Sequence, residues 1–235
     1  MTYTIFIKSY RGDFRWLTYC LRSIQKFATG FKEIVIVIPD TDNLDHLTAE
    51  RVIKVKESGT PYMFQQAVKM YADTYTDADF ISFVDSDCVF TEPVTPETFM
   101  TDGKVNWLHT PWEHIADETS KVWREVMRRC VGKDAPAEFM RRHPQMIPRW
   151  ALEEFRGFVA QKHGVSLEHY ILSQPGRSFS EFNCIGFYLW LHHYDKIHWI
   201  DTSEGIPPTV LKQFWSWGGL TPEIEREIKS LLSCP

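Results

Sequence analysis

The chain has 235 residues, with 26 Lys and Arg against 31 Asp and Glu, so its net charge of −5 excludes a broadly basic nucleic-acid coat. Hydrophobic residues make up 43% and charged ones 24%, without low-complexity tracts or a fixed-period repeat, which excludes disordered and fibrous classes. A chain this long buries a sizeable core without a disulfide or metal staple, and residues 1–235 read as one domain.

Nine Trp, nine Tyr and sixteen Phe are the one unusual class. Most belong in a core, and some can form platforms for flat or ring-shaped ligands. Cys20, Cys88, Cys130, Cys184 and Cys234 are odd in number and widely spaced, which fits free thiols in a reducing compartment. Met1 to Tyr10 carries Lys8 inside its apolar run and has no export-signal pattern. The apolar stretch around Ile34–Ile38 falls far short of the ~20 residues a bilayer requires. The expectation is a soluble, cytoplasmic protein.

In chain order, Thr2 to Ser9 reads as a strand, and Asp13 can cap a helix whose apolar face is Phe14, Leu17, Leu21, Ile24 and Phe27, stopped by Gly30. Glu33 to Ile38 and Arg51 to Val55 are two further strands, so the order predicts a parallel sheet. Thr60-Pro61 opens a helix running to about Tyr75. Its core face is Phe64, Ala67, Val68 and Tyr71, and its polar stripe is Tyr62, Gln65, Gln66 and Lys69. Phe80 to Val84 is a buried strand ending in Asp85-Ser86-Asp87. The second half holds a strand near Val105–Leu108, helices near Lys121–Cys130 and Arg149–His163, a helix from Glu181 to His193, a strand Ile197–Ile200 and a last helix Pro222–Leu232.

Two carboxylates at i and i+2 of an extended segment project to the same side, with Ser86 turned away. That pair suits a hard divalent cation, which takes oxygen ligands and completes its shell with water and phosphate. Standing alone, D-x-D is usually a solvated turn; here it ends a buried run, where a cation relieves the repulsion of two charges. Two enzyme classes carry such a string after a strand: nucleotide-sugar glycosyltransferases of GT-A type and aspartyl-phosphate phosphatases of haloacid-dehalogenase type. About three strands and two helices precede Asp85, whereas the phosphatase nucleophile strand opens its domain, which favours the first.

Lys8-Ser9-Tyr10 with Asp13, Tyr62 with Gln65-Gln66 and Lys69, Phe83 to Phe90 around the D-x-D, and Phe179 to Asn183 follow in an order and spacing that resembles a family of small GT-A glycosyltransferases of bacteria and phages. The likeness covers most of residues 3 to 220. It implies an α/β fold, GT-A (Rossmann-like), with a mixed, mostly parallel sheet flanked by helices. It also implies a nucleotide-sugar-binding half over about 1–100 and an acceptor-binding half with a closing segment over about 101–235. The donor would be a nucleoside diphosphate sugar and the cofactor Mn²⁺ or Mg²⁺.

Under that resemblance Ser9, Tyr10 and Asp13 hold the nucleoside and Asp40 is a further base contact. Asp87 binds the metal directly, and Asp85, beside Ser86, contacts the ribose or a metal-bound water. Gln65 and Gln66 point amides at sugar hydroxyls and Lys69 an ammonium at phosphate or Asp85, unless the stripe is simply an exposed helix face. Glu181 is either the base for an acceptor hydroxyl or only a complement to the dipole of the helix that Ser180 caps, with Asn183 behind it. His192, His193 and His198 lie where a third metal ligand comes from, and His198 is the preferred one. Trp215 to Gly219 reads as a loop closing over the donor, or as packed tryptophans before a turn.

Residues 121 to 142 carry seven basic and three acidic residues, a local balance of +4. This is either a solvated face or a contact for a polyanion. The acceptor is therefore read as a glycan or surface polysaccharide, with a hydroxymethylated DNA base as the alternative; that base would have to be flipped out, and a phage enzyme would act in the host cytoplasm. A non-catalytic sugar-nucleotide or glycan-binding module is the alternative of another class.

Overall fold

A computed structural model of the chain describes residues 1–44, 50–176 and 178–233, with the backbone but not the side chains of 118 and 119. The first half runs β1 (Tyr3–Lys8), α1 (Phe14–Phe27), β2 (Glu33–Pro39), β3 (Arg51–Val55), α2 (Pro61–Met70), β4 (Phe80–Phe83) and the short β5 (Cys88–Phe90). The second half adds β6 (Met100–Thr101), β7 (Lys104–Pro111), α3 (Glu118–Val131), β8 (Ala137–Glu138), β9 (Gln145–Pro148), α4 (Arg149–His163), α5 (Leu167–Leu172), α6 (Glu181–His192), β10 (His198–Asp201), β11 (Leu211–Gln213) and α7 (Pro222–Ser233).

The main sheet has the order β3-β2-β1-β4-β9. Its first four strands are parallel and β9 runs antiparallel beside β4. Helical crossovers cover both faces, so β1 and β2 are nearly continuous apolar runs. Alternation along the strand still sorts them: Ile5 and Ile7 pack with Leu17, Leu21 and Ile24 of α1, while Phe6 packs with Phe64 and Val68 of α2. A second sheet, β10-β7-β6 with β8 against β7, carries the later half, and β11 pairs antiparallel with β5.

Helix α1 ends as the sequence predicts, with Ala28 extended and Gly30 in the left-handed region at φ +82°. Helix α2 starts at Pro61, with the Thr60 side chain accepting from the Met63 N–H, but it stops at Met70 and not near Tyr75. The Arg156 guanidinium explains the early stop: it donates to the Met70 carbonyl at 2.9 Å and grips both Asp73 oxygens at 2.5 and 2.6 Å. It thereby satisfies an orphan carbonyl that another helical turn would have used. Strands β5 and β9 and helix α5 have no counterpart in the sequence pattern, being short or uniformly apolar.

The aromatic excess is mostly core. Trp107, His109, Phe139, Trp190 and Trp199 form one cluster with ring centroids 4.9–6.2 Å apart. Cys20, Cys88, Cys130 and Cys184 are buried free thiols, and Cys234 lies outside the described residues. Among the described residues no helix is long and apolar enough to cross a membrane.

Candidate active site

Strand β1 passes to β2 on one side and has β4 on the other, so the strand order reverses at β1. In open α/β sheets that reversal leaves a crevice beyond the carboxyl ends of the strands. Here it is a cavity of about 550 Å³. The end of β1 contributes Lys8, Ser9, Tyr10 and Asp13; the loop after β2 gives Asp42; α2 gives Tyr62 and Gln65; Asp85, Ser86 and Asp87 follow β4; Ser216 and Trp217 close over from the C-terminal part. The Ser9 hydroxyl is buried and makes no hydrogen bond, so this wall offers a polar group to an occupant. Lys8 is buried as well, donating to the Ser9 carbonyl at 2.9 Å, and burial lowers its proton affinity against the pull of Glu57 and Asp42.

The D-x-D is a turn, closed by the Cys88 N–H on the Asp85 carbonyl at 3.0 Å, and it sends its two carboxylates to different partners. Asp87 Oδ2 accepts the Ser216 N–H at 2.8 Å. Asp13 Oδ2 accepts the hydroxyls of Ser86 and Ser216 at 3.4 and 3.3 Å. Asp13 therefore stands at the N-cap position of α1 without a side-chain capping bond, and Ser86 turns its hydroxyl to Asp13. Burial and the Asp87 charge raise the Asp13 carboxyl above its ordinary value; burial and the Asp85 charge do the same to Asp87. Two acidic groups of raised proton affinity, both bound to Ser216, line the cavity.

Asp85 behaves in the opposite way. Lys69 Nζ lies 2.8 Å from Oδ1, off the hydrogen-bonding direction, and His143 Nε2 lies 3.0 Å from Oδ2. Although burial opposes the charge, the Lys69 ammonium and then His143, when protonated, hold the Asp85 carboxyl well below the carboxylate range. In return Asp85 raises His143, and Asp85 with Glu181 raises Lys69, each against the cost of burial. Lys69 Nζ also donates to Glu181 Oε1 at 3.0 Å, and the Glu181 N–H donates to Gln66 Oε1 at 3.1 Å. A buried chain Glu181–Lys69–Asp85–His143 thus runs beneath the cavity floor and links α2, α6 and the approach to β9.

Several sequence expectations change here. Gln65 lines the cavity, and Lys69 reaches Asp85, one of the two contacts expected of it, but Gln66 and Lys69 are buried at 3% exposure and belong to the chain under the floor. Glu181 is outside the cavity lining and pairs with the Lys69 ammonium at 3.0 Å. Asp40 is exposed and its N–H continues the sheet to Val55; Asp42, 5% exposed and accepting the Arg11 N–H at 2.7 Å, is the carboxylate that reaches the cavity. His198 sits on β10 opposite Asn106 and does not line the cavity. Asn183 holds the Phe139 N–H at 2.7 Å inside the core. Nothing in the sequence singles out His143, whose contact with Asp85 crosses from the second half of the chain. Exposed Trp217 lines the cavity, whereas Trp215, at φ +58°, does not.

In the basic segment Glu125 pairs with Arg128 and Arg129, and Glu138 with Arg141; both acids are already counted in the balance of +4, so the excess remains. No DNA contact is supported.

Asp13 and Asp87 fit a hard cation by donor chemistry: two oxygen ligands whose raised proton affinity a positive charge would relieve. Asp85 fits less well, since both its oxygens already face cations. Among the described residues no group of three His, Cys, Asp or Glu side chains is gathered to hold a metal, so such a cation would draw the rest of its shell from phosphate and water.

No protein-family model and no curated protein sequence matches this chain. Among solved structures it is similar to the galactosyltransferase LgtC in complex with donor and acceptor sugar analogues, with a TM-score of 0.55 over 99% of this chain and 97% of that one, at 10% identity. A mixed α/β architecture, with its mostly parallel central sheet flanked by helices, is the fold of that neighbour: this chain has the GT-A glycosyltransferase fold.

Proposed function

We propose that the protein is a nucleotide-sugar-dependent glycosyltransferase that moves one sugar from a nucleoside diphosphate to an acceptor hydroxyl, assisted by Mn²⁺ or Mg²⁺. The observation that carries this reading is the cavity at the strand reversal, where Asp13 and Asp87, both bound to Ser216, face Lys8 and the unpartnered Ser9 hydroxyl. The GT-A fold supports it.

In transfer, the bond from the anomeric carbon to the diphosphate oxygen breaks with its electron pair leaving on the diphosphate. A bond forms to the acceptor oxygen, whose proton passes to a base. A divalent cation held by Asp13 and Asp87 would supply Lewis-acid stabilisation of that leaving group. Lys8, Ser9 and Tyr10 would take the nucleoside, with Asp42 at its rim. Lys69 and His143 fix Asp85 in one orientation, and Glu181 in turn fixes Lys69; these are positioning roles, with no contact to the reacting atoms. The exposed Trp217 ring would cover the donor and exclude water.

The test is a thermal-shift screen of nucleoside diphosphate sugars with and without Mn²⁺, followed by donor hydrolysis. A ligand bound only by the folded state raises Tm by mass action, so at a hundred times Kd the gain is about 2.7 kcal/mol. The expected result is a metal-dependent shift with one donor and its loss in Asp87→Asn. No metal-dependent shift with any donor refutes the reading. Binding without turnover across a broad acceptor panel would make the protein a binding module.

A further inference from the structure

Where β1, β2 and β3 end, the cavity is lined by four charged side chains, Lys8, Arg11, Asp42 and Glu57. Arg11 is turned outward, its side chain 81% exposed and its Nε 3.9 Å from Asp42 Oδ1. Lys8 is the opposite case, at 6% exposure. Among the described residues it forms no ion pair, and its one hydrogen bond goes to the Ser9 carbonyl at 2.9 Å, which leaves N–H donors for an occupant. A buried ammonium ordinarily has a partner, because a charge taken out of water is costly alone. Glu57 and then Asp42 pull on this one against the effect of burial, yet neither touches it. All three line the same cavity, so an occupant can stand between them.

The chemistry of these groups restricts what can stand there. Asp42 Oδ2 takes the Arg11 N–H at 2.7 Å, but a carboxylate has about four acceptor sites, so capacity remains. Glu57 is exposed and makes no hydrogen bond or ion pair among the described residues. An ionised carboxylate can only accept. This corner therefore offers one strong donor and two strong acceptors, with the unpartnered Ser9 hydroxyl next to the donor. Among the nucleobases, guanine carries O6, N1–H and its 2-amino group in a row, which is one acceptor followed by two donors. Uracil has a single N–H between two carbonyls and would bring a carbonyl against one of the carboxylates. Cytosine and adenine each offer one amino donor beside a ring-nitrogen acceptor. Guanine alone matches the ammonium and both carboxylates together.

We infer that the nucleoside diphosphate taken by this cavity carries guanine, with Lys8 donating to O6 and with Asp42 and Glu57 accepting from N1–H and the 2-amino group. The inference rests on the proposed function for the diphosphate and the sugar; recognition of the base stands or falls by itself. Hydrogen bonds to charged groups are among the stronger ones, and a site built around N–H donors rejects a base that lacks them, because its own polar groups are left unpaired. Base selection thus falls to residues other than Asp13 and Asp87.

The test is isothermal titration calorimetry of the full chain with GDP, IDP, UDP, ADP and CDP in the presence of Mn²⁺, and with GMP and UMP without metal. GDP is expected to bind about tenfold or more tightly than UDP, ADP and CDP, and about tenfold more tightly than IDP, which lacks only the 2-amino group. Glu57→Ala, at an exposed and unpaired side chain, should lower the GDP-over-UDP ratio about tenfold, with an unchanged Tm as the check on folding. Binding of IDP, UDP, ADP or CDP as tight as that of GDP, or a ratio unmoved in Glu57→Ala, overturns the base assignment and leaves the transferase reading standing. Binding of GMP in preference to UMP, with no metal-dependent shift from any nucleotide sugar, keeps the base site and defeats the transferase reading.

Discussion

Replacing Lys69 by Met keeps most of the side-chain volume and deletes the one ammonium that sits between Asp85, at 2.8 Å, and Glu181, at 3.0 Å. The site is 3% exposed, so water does not move in to replace the charge. Removing one partner of a buried pair costs about 3–5 kcal/mol, because an uncompensated charge is left behind. Asp85 retains His143, so the stranded group is Glu181, and the lower half of that range applies. For a chain of this size 1 kcal/mol moves Tm by about 2–4 °C, which makes the expected fall about 6–16 °C. The pH dependence separates this from a simple packing defect. In the wild type the Asp85 carboxyl is held down, so its stabilisation is present above the unfolded Asp value near ~3.9 and is lost only as pH falls further. In Lys69→Met the larger cationic partner of Asp85 is gone, so less of this stabilisation remains and the cost of the substitution at pH 7 shrinks at pH 3. Urea unfolding at the two pH values, with Glu181→Gln and the double variant completing a cycle, reads this directly. A cost under about 1 kcal/mol, or the same cost at both pH values, would refute the reasoning.

Asp13→Asn should behave in the opposite way. The folded state raises this carboxyl, so ionised Asp13 costs stability that grows as pH rises through its range; the variant should melt higher than the wild type at pH 7 and lose the Mn²⁺-dependent shift. Asp87→Asn should lower turnover by about 10²-fold or more, in keeping with loss of a preorganised electrostatic contact, as measured by donor hydrolysis. Trp217→Ala, at a side chain 85% exposed, should leave Tm unchanged and raise the KM for the donor. At Gly186 an added Cβ would stand 2.7 Å from Phe139 Cβ and 2.9 Å from Trp107, so Gly186→Ala should cost about 1–3 kcal/mol in urea unfolding.

Long periodic elements were legible from the residues. The apolar face of α1, the Thr60-Pro61 start of α2 and the span of α4 all follow local chemistry that the sequence displays. So did the cluster at the end of β4, since a buried run that breaks into two aspartates has few structural uses. What stayed hidden was decided by tertiary partners. Asp13 looks like a helix cap and is drawn away by Ser216; Gln66 and Lys69 look like an exposed stripe and are covered by α6. Asp42 is held by the Arg11 N–H, a contact Asp40 lacks, and His143 has no local pattern at all. Glu181 was visible as a helix-opening acid, but only the position of Lys69 shows which way its carboxylate turns.

Ser216 lies 203 positions from Asp13 and 129 from Asp87, yet it touches both. Contacts of such separation demand closure of very long loops and form late. During synthesis the β1–β4 sheet can pair before this serine leaves the ribosome, so the chain would pass through a stage with its acidic cluster untethered. Pulsed hydrogen exchange during refolding should accordingly protect the β1 and β4 amides before that of Ser216. On the proposed function, donor binding would then wait for this late contact.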